Sequence, residues 1–325
     1  MHKIALIGAG RIGRIHARNA SRHPRLELAS IIDPVDAAAQ ALAGECGGRV
    51  IGLDEALADE AIAGVIIASS TDTHLDYSLR AAAAGKAIFC EKPIDQDLAR
   101  ARSAGGELAN ARMLLAFNRR FDPNFQALKA RLDSGELGAL ESLQITSNDP
   151  APPPPAYVAV SGGLFKDMAI HDFDMARWLL GEEPVEVFAA GSCLVDKEIG
   201  RLGDVDTART LLRTASGRLC VIANSRRSGF GYDQRIEAYA SAGMVRADNV
   251  VESTVQVWNE SGASADRFQN FFLDRYAEAY RREMDHFADM LEGATPSVGY
   301  ADGVAALALA EAATESAKTG KVVRV

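Results

Sequence analysis

Apolar and polar positions follow two different rhythms along the chain, and the change comes near Asn118. Before it, short and almost unbroken apolar runs alternate with Ala-, Leu- and Arg-rich amphipathic stretches. The runs are KIALI from Lys3, LELASII from Leu26, GVIIAS from Gly64, AIFCE from Ala87 and MLLAF from Met113. Helices are predicted between them over residues 11–22, 35–46, 73–84 and 97–110. A strand that is apolar on both sides has to be covered on both sides. This alternation therefore predicts a doubly wound parallel sheet with right-handed crossovers.

After Asn118 a helix is predicted over residues 123–132 and a strand over 140–147. Residues 150–155 carry five prolines and predict a rigid extended loop. Past Trp178 the chain runs in successive β-segments. Residues 206–213 and 218–225 flank Thr-Ala-Ser-Gly, and 234–240 and 244–247 flank Ser-Ala-Gly, both hairpin signals. Two helices follow, over 271–291 and 301–319. The second half is therefore expected to be an α+β domain on an open, mainly antiparallel sheet. The expected domains are residues 1–120 and 121–325, with helix 301–319 free to pack back on the first.

Composition narrows the function classes. The 325 residues are 48% hydrophobic and 24% charged, with a net charge of −9. No Lys/Arg-rich run is present, which argues against nucleic acid or an anionic membrane as partner. No apolar run approaches the roughly 20 residues that span a bilayer. The opening MHKIALIGAG enters a strand at once, unlike a secretory signal. Cys46, Cys90, Cys193 and Cys220 stand far apart with no C-x-x-C pair, which suggests idle thiols in a reducing compartment. A cytoplasmic enzyme or binding protein is what remains.

The chemistry begins at Gly8-Ala9-Gly10-Arg11-Ile12-Gly13, directly after the first strand and at the start of a helix. G-x-G-x-x-G alone is a weak signal. Here Asp33 ends the second strand 20 residues beyond Gly13, at the spacing of a ribose-binding acid. Gly8 suits the tight turn, Gly10 lets the backbone approach a pyrophosphate, and Gly13 lets helix and strand pack closely. The helix N-terminus presents N–H groups to the anion. A carboxylate at Asp33 repels a 2′-phosphate and Pro34 offers no compensating cation, so NAD is expected rather than NADP. Ser69, Ser70 and Thr71 follow the third apolar run, at a strand end where such sheets bind ligands. His74, one turn on, is equally a cofactor contact or a plain helix-start histidine. Glu91-Lys92-Pro93 follows the fourth run, and Lys92 there can reach a crevice or simply face solvent.

These segments are similar to the glucose–fructose oxidoreductase, inositol dehydrogenase and rhizopine catabolism family. The likeness is carried by GAGRIG, Asp33 and FCEKP (residues 89–93). It continues through FNRRFDPNF (117–125), NDPAPPPP (148–155), SGGLFKDMAIHDFDMARWL (161–179) and GYDQRIE (231–237). It spans essentially the whole chain and is greatest to the family's myo-inositol 2-dehydrogenases. The resemblance implies NAD-dependent oxidation of a cyclitol, myo-inositol to its 2-keto form. It implies an active site where the second domain meets the Rossmann strand ends. It also implies a homo-oligomer, often a tetramer, with the outer face of the second sheet against another subunit. By the same resemblance Lys92, Asp167 and His171 meet the reacting carbinol and Tyr232 contacts substrate. One departure stands out: many inositol dehydrogenases have a histidine just before the N/D-P segment, whereas this chain has Ser147 and Asn148.

Read as chemistry, alcohol oxidation needs a base, a group that stabilises the alkoxide, and a carbinol carbon facing the nicotinamide. Asp167 and His171 are four apart, so on one helix they share a face and the acid can orient the imidazole. His171 is the expected base, Asp167 the orienting acid and Lys92 the donor to the hydroxyl oxygen. A helix cap beside an exposed histidine is the structural alternative. Asp172 and Asp174 suggest salt bridges or caps, and one His without a nearby Cys makes a poor metal site, so none is expected. Asn118 by the nicotinamide, Arg120 by the substrate, and Asn148 and Asp149 on polyol hydroxyls complete the candidates.

Overall fold

The structure is a computed structural model that describes all 325 residues. The chain divides into two compact units, Met1–Phe121 with Ala279–Leu307, and Asp122–Glu278 with Ala308–Val325.

In the first unit six parallel strands run in the order β3-β2-β1-β4-β5-β6. They are β1 (His2–Ile7), β2 (Leu26–Ile32), β3 (Arg49–Val50), β4 (Ile62–Ile67), β5 (Ala87–Cys90) and β6 (Met113–Leu115). Helices α1 (Arg11–Arg22), α2 (Asp36–Cys46), α3 (Leu53–Ala58), α4 (His74–Ala83), α5 (Leu98–Ser103) and α6 (Gly105–Leu108) connect them. Ile4, Leu6, Val65, Ile66, Ile88 and Leu114 are fully buried, as strands covered on both faces require. The strand order reverses between β1 and β4, so the carboxyl ends there form the ligand-binding crevice of such a sheet. The short β3 and α3 carried too little periodicity to be foreseen. The stretch 97–110, expected as one helix, is two, because Ala104 and Gly105 interrupt it.

Residues Ala279–Leu307 cluster with the first unit; the last of them belong to the helix left free to pack back on it, whereas residues 279–300 were expected in the second domain. The physical reason lies in the helix Ala277–Leu291 (α13). Phe287 stacks edge-on to Phe89 of β5 at 5.7 Å. A Cβ on Gly64 of β4 would come within 2.9 Å of Phe287 Cζ and 3.1 Å of Leu291 Cδ2. The helix thus rests on bare backbone, which is what a glycine inside a strand permits.

The second unit is built on a seven-stranded sheet in the order β12-β11-β7-β10-β9-β8-β15. Its strands are β7 (Leu140–Asn148), β8 (Pro184–Ser192), β9 (Thr207–Thr214), β10 (Leu219–Ser225), β11 (Asp233–Ala240), β12 (Gly243–Ala247) and β15 (Val323–Arg324). A separate hairpin pairs β13 (Gln256–Asn259) with β14 (Gly262–Ala265). The sheet is antiparallel except where β7 and β10 run parallel. Side chains alternate as the period of two demands. Leu143, Ile145, Cys220, Ile222 and Leu212 are buried on one face, where α10 (Ile170–Leu180) packs against β7. Phe188, Leu211 and Val221 emerge on the other. Helices α7 (Pro123–Asp133), α8 (Pro155–Ser161), α9 (Gly163–Asp167), α11 (Lys197–Arg201), α12 (Phe272–Arg275) and most of α14 (Tyr300–Thr319) complete it. The proline loop gives way to α8 at Pro155, because proline is well accommodated in a helix's first turn.

Candidate functional site

The glycine turn after β1 has the form a dinucleotide needs. Gly8 has φ +105°, and a Cβ there would lie 2.5 Å from the Ala68 carbonyl oxygen. A Cβ on Gly13 would strike the Gly8 carbonyl oxygen at 1.9 Å, so α1 can approach β1 only with glycine in place. Gly10 differs. A Cβ there meets no protein atom within 4 Å, so protein packing does not demand that glycine, whereas a closely held phosphate does. Gly10 is the N-cap of α1 with no side-chain cap, and the first turn carries no acid. Its N–H groups are therefore available to an anion. Arg11 is exposed and Ile12 half-buried in that turn. Asp33 Oδ2 accepts from Ala9 N–H at 2.6 Å and Oδ1 from Val35 N–H at 2.8 Å. The acid thus ties the glycine turn to the end of β2. A carboxylate has about four acceptor sites, so both oxygens keep capacity for further donors such as hydroxyls.

The ends of β4 and β5 supply a second group. The Ser69 and Thr73 hydroxyls are 2.7 Å apart, Ser70 N-caps a 3₁₀ turn over Thr71–Thr73, and α4 begins at His74. The His74 ring is buried, its nitrogens 2.8 Å from the Pro93 carbonyl and 3.1 Å from that of Ser69. His74 therefore ties two ligand-crevice loops together. Glu91 Oε1 lies 2.7 Å from Nε2 of the fully buried His16 on α1. Glu283 on α13 is also fully buried, and neither of its carboxyl oxygens has a hydrogen-bond partner. Burial, and then the neighbouring charge of Glu91, push the Glu283 carboxyl well above the ordinary glutamate range. Lys92 follows Glu91 and is half-buried. Arg120 donates to Asp302 Oδ1 at 2.8 Å, an ion pair within the first unit.

In the second unit Asp167 and His171 are not on one continuous helix, as the spacing had suggested. Asp167 ends α9 and His171 lies in the first turn of α10, separated by a break at Met168 and Ala169. There the amides of both Met168 and Ala169 turn onto the Leu164 carbonyl, at 3.0 and 2.9 Å, which interrupts the regular ladder. Asp167 is held by other residues. Tyr157 O–H donates to its Oδ1 at 2.8 Å and Arg226 Nη1 to its Oδ2 at 3.1 Å. Arg226 also lies 3.7 Å from Asp149 Oδ2. Asn148 donates from Nδ2 to Asp233 Oδ2 at 3.1 Å. Burial pushes the Asp233 carboxyl up, but hydrogen bonds from Arg235, Asn249 and Asn148 outweigh it and hold the group below the usual aspartate range. Tyr232 is buried edge-on to Tyr276, ring centroids 6.0 Å apart. Asp172 accepts from Asn224 Nδ2 at 2.8 Å, and Asp174 lies 3.8 Å from Arg177. No group of three or more His, Cys, Asp or Glu is arranged to hold a metal ion. All four cysteines are free, and no helix is long and apolar enough to cross a membrane.

Sequence reasoning missed His16, Glu283, Tyr157 and Arg226. His16 carried a weak signal, a polar residue on the apolar face of α1. The other three are brought to their partners only by tertiary folding.

Residues 2–117 match the profile described as an oxidoreductase family with NAD-binding Rossmann fold, and residues 125–246 match the GFO/IDH/MocA C-terminal domain. The chain is 46% identical over 317 residues to an inositol 2-dehydrogenase of Rhizobium meliloti, covering 97% of this chain and 96% of that protein. It is 44% identical over 328 residues to a myo-inositol 2-dehydrogenase of Thermotoga maritima, covering 99% and 98%. The crystal structure of a myo-inositol dehydrogenase from Corynebacterium glutamicum superposes with a TM-score of 0.96 at 44% identity, over 100% of this chain and 99% of that one.

Proposed function

The chain belongs to the GFO/IDH/MocA family of NAD-binding oxidoreductases, and from that premise we propose that it oxidises myo-inositol to its 2-keto form with NAD as hydride acceptor. The observation that carries this reading is full-length identity of 46% and 44% to inositol 2-dehydrogenases. The Asp33-tied glycine turn fits the cofactor side of it.

NAD, when bound, supplies the carbon that accepts the hydride. Lys92 donates a hydrogen bond to the reacting hydroxyl oxygen and stabilises it as it becomes an alkoxide. His171 takes the hydroxyl proton as general base. Asp167 keeps the substrate and the imidazole in register from a carboxylate fixed at both oxygens. Asn148, Asp149 and Tyr232 face the remaining hydroxyls, since a neutral polyol is recognised by many directional hydrogen bonds. Arg120, paired with Asp302, meets the substrate from a fixed position.

A panel of myo-, scyllo- and D-chiro-inositol and glucose, each with NAD and with NADP, tests the reading through appearance of reduced nicotinamide. The highest kcat/KM is expected for myo-inositol with NAD. Turnover of glucose with none of any inositol overturns the substrate. His171→Ala should bind NAD as the wild type does and lose on the order of a thousandfold in kcat; an unchanged rate removes it from the role of base. The assembly belongs to the same proposal: a homotetramer joined through the outer, apolar face of the second unit's sheet. The free thiols suit the reducing cytoplasm.

A further inference from the structure

Arg226 has no place in the sequence-level reading, and its neighbour is a second arginine, Arg227. The structure separates the two. Arg227 is exposed, whereas Arg226 is 3% exposed. Its location follows from strand pairing. β7 and β10 run parallel with Asn148 opposite Ser225, so the next residue of each strand, Asp149 and Arg226, emerge side by side. Both backbones are pinned there. Asp149 N–H donates to the Ser225 carbonyl at 2.9 Å, and Arg226 N–H to the Asp206 carbonyl at 2.8 Å.

From that anchored start the guanidinium reaches two carboxylates with one nitrogen, Asp167 at 3.1 Å and Asp149 at 3.7 Å. Tyr157 takes the other oxygen of Asp167. Asp167 is thereby held from both sides, although it ends a helix of five residues and is followed by a break. Arg226 Nε and Nη2 are buried with no hydrogen-bond partner. A buried arginine serving the fold alone would have those donors satisfied, because unmet buried donors destabilise. A neutral polyol gives the positive charge no counterion, so the charge answers to the two acids.

We propose that Arg226 is a positioning residue of the reaction: a buried cation that locks Asp149 and Asp167 in one arrangement and thereby sets how the polyol is presented to His171. The inference rests on the proposed polyol oxidation. Its charge is what this arrangement uses, since a single nitrogen, Nη1, faces both acids and a neutral side chain there could not balance them.

The wild type is first assayed on the polyol panel, which alone decides the substrate reading. Arg226 variants are then scored against wild type on whichever polyol it oxidises, so the two ideas fail separately. Arg226→Ala should keep its affinity for NAD and lose about a hundredfold in kcat, and added guanidinium should restore about tenfold of that. The same guanidinium should restore nothing in Asp167→Asn. Should Arg226→Ala fail to fold, Arg226→Lys and Arg226→Gln carry the test, with Lys expected to exceed Gln about tenfold in kcat. Wild-type kcat and KM in Arg226→Ala, or equal rates for Lys and Gln, overturn the proposal.

Discussion

Gly10 and Gly13 have the same side chain and opposite reasons for lacking one. At Gly13 a methyl group would collide with the Gly8 carbonyl oxygen at 1.9 Å, backbone against backbone. Gly13→Ala should therefore lower the melting temperature by several degrees, a loss of about 1–3 kcal/mol. At Gly10 the methyl meets no protein atom within 4 Å. Gly10→Ala should melt with the wild type and raise KM for NAD about tenfold, because only the pyrophosphate competes for that space. Calorimetry and NAD titration on the two variants separate these effects; parallel losses in both would sink the distinction. Asp33→Asn should raise the NADP-to-NAD ratio of kcat/KM on the order of a hundredfold, since it removes the charge that repels a 2′-phosphate. All three positions were legible in the sequence because their demands are local: a turn, a close approach and an acid at a strand end. Arg226 was not, because what makes it special is the pairing of Asn148 with Ser225 in a parallel register.

Elements were legible where periodicity was long and illegible where tertiary packing decided. The five apolar runs of the first unit became strands at their expected places, while Arg49–Val50 and Leu53–Ala58 were too short to announce themselves. The run through Asp167 and His171 contains no proline or glycine between them, so nothing local foretold the break at Met168 and Ala169. The stretch 271–291, expected as one helix, is two, α12 and α13, parted at Tyr276, and the packing of α13 on Phe89 was not foreseen; its buried Glu283 leads to a pH prediction. Burial, followed by the charge of Glu91, keeps that carboxyl protonated in the folded chain well above its ordinary value of 4.5. Below about pH 4.5 the folded and unfolded chains both hold the proton and the group costs no stability. As pH rises, only the unfolded chain releases it. Folded stability should fall by up to about 1.4 kcal/mol per pH unit until the folded-state pKa is passed. Glu283→Gln keeps the shape and cannot titrate. Its melting temperature should exceed that of the wild type by a margin that widens from pH 5 to pH 8. A margin that stays flat across that window would mean that Glu283 is ionised in the folded chain.

At the scale of the whole molecule the telling feature is a sheet face with nothing of its own chain upon it. Phe188 of β8, Leu211 of β9 and Val221 of β10 lie in register across three strands, each roughly two-fifths exposed. The next row adds Leu219, Tyr239 and Met244 at similar exposure. The alternation that predicted the sheet could show that one face would be buried, but not that the other would carry a row of large apolar side chains among charged ones such as Arg209, Arg213 and Glu237. Contiguous apolar surface of this kind marks an association site, and a stable interface needs about 1,200 Å² or more of total buried area. A two-fold arrangement sets the same patch against itself, so one substitution acts twice in each contact. Leu211→Asp places a carboxylate at the centre of the row, where association would strip it of water. The side chain lies outside the core, so the variant should fold, bind NAD and melt as a single species. Its mass by size-exclusion chromatography with light scattering should be a half or a quarter of the wild type's. An unchanged mass in the variant, or a monomeric wild type, would show that this face meets solvent in the working enzyme and that assembly, if any, uses another surface.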